Sequence, residues 1–138
     1  MTSLGMAAAL LSQAENVLRE AERHLAHGAQ HGSELGLAVR RSQEAVELAL
    51  KGLLRSAGIE APKIHDVGKV LLRNAARLGQ FELQRLAALS QGLARDRSAA
   101  FYGEDGGDRG PDELFSLDDA RTATADARWA VERCRSAT

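Results

Sequence analysis

The sequence predicts an all-α protein, an antiparallel up-and-down bundle of four or five helices. Apolar residues recur at three- and four-residue steps along most of the chain, and alternating strand-type runs are missing. Only two prolines occur, each lying between periodic segments and not inside one.

The first helix is expected over about residues 3–27, because Leu11, Ala14, Leu18, Ala21 and Leu25 fall on one face. Gly28 is placed as its C-terminal breaker. A second helix follows over about residues 33–57, with Leu35, Val39, Val46, Ala49 and Leu53 inward and Gly58 at its end. Glu47 and Lys51 stand four apart on its flank in the favourable order. Pro62 makes residues 58–65 a loop, and Asp66 is read as the cap of a short third helix carrying Val67, Val70, Leu71, Ala75 and Leu78 up to Gly79. The fourth helix is expected over about residues 81–102, with Leu86, Leu89, Leu93, Ala100 and Phe101 as its stripe. Residues 103–116 hold four glycines and a proline and read as a long flexible loop. Ser116 then caps a last helix with Asp118 and Asp119 in its first turn and Ala120, Ala123, Ala127, Val131 and Cys134 inward.

One domain over residues 1–138 is expected, since a chain of this length buries roughly 68% of its unfolded surface in a single core. No apolar run reaches the ~20 residues of a membrane span, so no membrane partner is expected. The lone cysteine excludes an internal disulfide framework and fits a reducing cytoplasm. A net charge of −1 argues against bulk polyanion binding, and no sequence-specific reading of DNA is expected. The charge is uneven: residues 63–102 carry seven basic and three acidic groups, residues 103–138 five basic and nine acidic. Either the basic stretch faces phosphates or the two segments lie side by side.

Arg97 is the most informative residue for chemistry. At 100° per residue it projects within the stripe of Leu86, Leu93 and Ala100. A guanidinium cannot shed its proton, so burial there demands an acid or a phosphate, unless the side chain snorkels from the stripe edge. Arg95 and Tyr102 lie seven apart on the opposite, more exposed face, where the tyrosine can stack on a base or simply pack. His65 and Asp66 open a helix, with Lys63 and Lys69 on either side, which suits an anion as well as ordinary capping. His24, His27 and His31 have metal-like spacing, but Gly28 is expected to interrupt them, and no metal site is assigned. Cys134 lies on an apolar stripe and reads as an inert thiol. Phosphate-loop, dinucleotide and Cys-x-x-Cys motifs are missing, and no cofactor is implied.

Three segments together resemble the HEPN family. Ser42-Gln-Glu-Ala-Val-Glu-Leu-Ala-Leu-Lys51 is similar to that family's second helix, and Ala61-Pro-Lys-Ile-His65-Asp66 to its entry into the third. Arg97-Ser-Ala-Ala-Phe-Tyr102-Gly-Glu, then Glu113-Leu-Phe-Ser-Leu-Asp-Asp-Ala120, is similar to the end of its fourth helix and the start of its last. The resemblance implies a helical bundle that commonly forms homodimers and serves nucleotide- or RNA-directed systems, often beside a small nucleotidyltransferase. It also implies, for many members, a ribonuclease site of an arginine followed four to six residues later by a histidine on the fourth helix. Here the arginine is Arg97 or Arg95, no histidine follows His65, and Tyr102 occupies the expected place. With a pKa near ~10, tyrosine is a poor acid-base group at neutral pH.

Three functional readings follow. The first is a non-catalytic binding or partner module with a nucleotide or RNA ligand, in which Arg97 holds a phosphate aided by Arg95, Tyr102, Lys51, His65 and Lys69. In the second, a metal-independent, toxin-like endoribonuclease, Arg97 acts with His65 or Tyr102. The third is a dimerising subunit that only contacts protein, with the fourth helix near the interface. There Leu83, Ala87 and Ala94 are expected to widen its apolar surface beyond what the core uses.

Overall fold

The computed structural model describes the backbone of residues 3–79, 82–102 and 109–138, and their side chains except at 3, 97–102, 111 and 112. The elements are α1 (Ser3–His31), α2 (Leu35–Ser56), α3 (Gly68–Arg73), α4 (Ala75–Leu78), α5 (Leu83–Tyr102), α6 (Pro111–Leu114) and α7 (Leu117–Ser136), with no strand among the described residues. The all-α bundle is therefore observed, and α2 is its centre, packed against α1, α5, α6 and α7. Its central place explains why Ala38, Ala45, Ala49, Leu50 and Leu54 are completely buried. The expected inward residues of α7, from Ala120 to Cys134, are buried as well.

Small residues set the helix spacing. Alanines fill the contact faces of α1, α2 and α7, so backbones approach closely and few large side chains are needed. One polar pair crosses this core: Ser42 donates to Ala38 O at 2.7 Å and lies 3.2 Å from the Thr124 hydroxyl. Each hydroxyl thereby keeps a partner while buried.

Four local expectations are corrected. Helix α1 does not stop at Gly28 but continues to His31, and Gly32 with φ +67° turns the chain instead. Gly28 serves close packing: a Cβ there would lie 2.4 Å from Ser33 O and 2.8 Å from Leu35 Cδ2. The third helix is split at Asn74, whose side-chain amide donates to Val70 O at 2.8 Å while its own carbonyl starts α4. Asp66 is not the N-cap position of α3, which is Val67, although its Oδ1 accepts from Gly68 N at 2.9 Å. The expected loop 103–116 contains the short helix α6 with proline at its first position, while residues 103–108 lie outside the described residues.

Other local signals hold. Gly58 and Gly79 take φ +77° and +82° at helix ends, a conformation in which glycine meets no Cβ penalty. Ser116 accepts from Asp119 N at 3.0 Å, and Asp119 accepts from Ser116 N at 2.9 Å, a complete capping box. The expected spare apolar surface on α5 is smaller than the sequence suggests. Leu83 and Ala87 are 7% and 2% exposed because α3 packs against this helix, so the bundle already uses them.

Candidate functional site

Two neighbouring regions of the bundle gather the candidate residues, and α2 borders both. Along one face of α2, Gln43, Glu47 and Lys51 follow at four-residue steps, which stacks their side chains. The connection after α2 then brings His65 back onto that face. Glu47 is the hub: its carboxylate accepts from Gln43 Nε2 at 3.2 Å and Lys51 Nζ at 3.2 Å, and Oε1 lies 2.7 Å from His65 Nδ1. A carboxylate only accepts, so Nδ1 carries the proton of this contact, and in the neutral form of the ring the lone pair is on Nε2. The ring is about half exposed, whereas Glu47 and Lys51 retain only 17% and 15% of their side-chain exposure. Gln43 is 3% exposed, and its Oε1 has no hydrogen-bond partner among the described residues.

Ser90 of α5 holds the approach to His65 in place. Its hydroxyl accepts from Val67 N at 3.0 Å and donates to Asp66 Oδ1 at 3.2 Å, locking the His65-Asp66 turn to the bundle. Asp66 is thus engaged with Ser90 and Gly68 N, a structural role that the sequence assigned only in part. Lys69 is exposed on α3.

The second region is a cleft of about 460 Å³ between α2, α5, α6 and α7. Val39, Leu89, Leu93 and Phe115 supply apolar wall, and Arg95, Asp96, Asp119 and Asp126 supply charge. Its size falls in the range of small-molecule sites. Three carboxylates against one guanidinium make the lining acidic. The Asp96 carboxyl is pushed above its ordinary range by partial burial, with Asp119 adding and Arg95 opposing. None of the described lining residues is a histidine.

The four sequence candidates whose side chains are described are therefore dispersed. Lys51 and His65 meet on Glu47, Arg95 lines the cleft, and Lys69 stands apart on α3. The side chains of Arg97 and Tyr102 lie outside the described residues. Sequence reading missed Glu47 as the common partner, and Asp119 and Asp126 as cleft neighbours of Arg95. The Glu47–Lys51 spacing was a signal for the first; nothing local signalled the second.

The histidine spacing on α1 also needs correction. The helix is unbroken from His24 to His31, so Gly28 does not interrupt them. Glu34 instead engages both His24 Nδ1, at 2.8 Å, and His27 Nδ1. Among the described residues no group of three metal-ligating side chains has the arrangement to hold a metal ion. Cys134 is buried and its thiol is pushed up to about 12 by burial, against the opposing charge of Arg133. No helix among the described residues is long and apolar enough to cross a membrane.

Comparison with known proteins gives one result that spans the chain: the family model HEPN domain matches residues 7–137. No curated protein and no solved structure matches.

Proposed function

The chain belongs to the HEPN domain family, and from that premise we propose that it is a non-catalytic binding subunit for a nucleotide or RNA terminus. It would work beside a small nucleotidyltransferase, with a homodimer as its working form. The observation that carries this reading is the cleft at Arg95, which combines apolar walls with carboxylates and holds no histidine among its described lining residues. A base fits such walls, and Asp96 or Asp126 can accept hydrogen bonds from its amino and imino groups. Arg95 then meets a phosphate at the mouth. The acidic lining disfavours entry phosphate-first, which is why the base is placed inside.

Calorimetric titration with nucleoside monophosphates tests this. Saturable binding that weakens at least about tenfold in Arg95→Ala, a loss of ~1.4 kcal/mol, is expected. Binding unaffected by Arg95→Ala and Asp126→Asn would sink the proposal. Sedimentation checks the dimer: a single species near the 14.8 kDa chain mass excludes it.

The contact between Glu47 and His65 favours a second reading, the metal-independent ribonuclease. A carboxylate-held imidazole with a free Nε2 is suited to accept a proton. In that reading His65 is the base and Arg97 steadies the scissile phosphate. Metal-independent cleavage of single-stranded RNA, abolished in both Arg97→Ala and His65→Ala, would replace the binding reading with this one.

A further inference from the structure

Residues 63–77 differ in charge from the rest of the surface. They contain Lys63, Lys69, Arg73 and Arg77, all exposed, and one acid, Asp66. That acid is turned inward onto Gly68 N and Ser90. None of the four cations lies within ion-pair distance of a carboxylate among the described residues, and only Arg77 has a protein partner, the carbonyl of Ala57. Elsewhere the exposed arginines are largely matched: Arg121 with Asp118, Arg128 with Glu22 and Glu132, Arg135 with Glu15.

The same stretch carries two of the three large hydrophobic side chains exposed on the described surface, Ile64 at 48% and Leu72 at 44%. On α3, Lys69 stands three residues before Leu72 and four before Arg73, so the lysine lies between the leucine and the arginine on one side of the helix. Exposed apolar side chains among unmatched charges of one sign are a feature of a surface that is covered in use.

We propose that the α3–α4 face docks a protein segment carrying acidic and aliphatic side chains, an amphipathic acidic helix being the simplest form. Charge complementarity selects the acids, and Ile64 and Leu72 select the aliphatic anchors. RNA fits less well. The one ring in this stretch, His65, is held by the Glu47 carboxylate of α2, and two aliphatic side chains gain nothing from a phosphate backbone. The inference does not depend on the Arg95 cleft, since no residue of this face lines it.

Fluorescence anisotropy with three labelled probes tests the proposal: an amphipathic Leu/Glu peptide of about eighteen residues, its Ser/Glu counterpart of equal charge, and a short oligouridylate. The Leu/Glu peptide is expected to bind at least about tenfold tighter than either other probe, and more weakly as salt is raised. The double variant Ile64→Ser, Leu72→Ser should erase the difference between the two peptides. Lys69→Glu with Arg73→Glu should weaken the Leu/Glu peptide about tenfold or more. All four positions are exposed, and unchanged thermal unfolding of each variant shows that the fold is kept. Equal binding of the Ser/Glu peptide or the oligouridylate would make this a generic polyanion face and overturn the proposal. So would failure of the Leu/Glu peptide to bind, or binding indifferent to either double variant.

Discussion

Glu47 Oε1 lies 2.7 Å from Nδ1 of His65, a residue eighteen positions later in the chain. The same carboxylate neutralises Lys51, so one acid holds a half-exposed imidazole and a largely buried ammonium. Glu47→Gln leaves Lys51 without a counter-charge at 15% exposure. A loss of about 1–2 kcal/mol is expected, below the cost of a fully buried pair because solvent still reaches the site. His65→Ala removes only an exposed partner and should cost less. Urea unfolding of both variants checks the order.

Gly28 offers a sign test. In an ordinary helix interior, glycine to alanine stabilises by about 0.5–1 kcal/mol. At Gly28 the added methyl meets a backbone oxygen at 2.4 Å, so Gly28→Ala should instead destabilise by about 1–3 kcal/mol. Gly92→Ala is the control. Its Cβ would have only Arg95 Nη2 nearby, at 3.8 Å, and it should show the ordinary gain on α5. Thermal melts of opposite sign are the expected outcome.

Ser90 is 3% exposed, and its hydroxyl serves both Val67 N and Asp66 Oδ1. Ser90→Ala leaves a buried backbone N–H without its acceptor, at a cost of about 1–3 kcal/mol. Because the loss frees the turn that carries His65, hydrogen exchange at Val67 and Gly68 should accelerate more than exchange in α1.

Asp96 titrates above its ordinary range, chiefly through partial burial. For an acid, a raised value means that the folded state takes up its proton at higher pH than the unfolded chain does. Its charge therefore works against folding at neutral pH, and this penalty fades as pH falls and the carboxyl protonates. Asp96→Asn should raise the melting temperature slightly at pH 7, with the gain shrinking toward pH 4. A gain that grows on acidification would contradict the raised value of this carboxyl.

What the sequence determined by itself was local. The inward stripes of α1, α2 and α7, the glycine ends at Gly58 and Gly79, and the Ser116–Asp119 capping box each depend on residues within a turn or two, where helix geometry dictates who meets whom. The three segments that resemble the HEPN family were legible for the same reason, as ordered motifs on those helices. Tertiary structure decided the rest. Gly28 reads as a stop signal until Ser33 and Leu35 fold back against it. Leu83 and Ala87 read as spare surface until α3 covers α5. Glu47 acquires His65, Ser90 acquires Asp66, and Arg95 acquires Asp119 and Asp126 as cleft neighbours, only when distant segments dock. Those encounters depend on which helix faces meet across the bundle, a sum of many weak long-range contacts that no short stretch of sequence encodes.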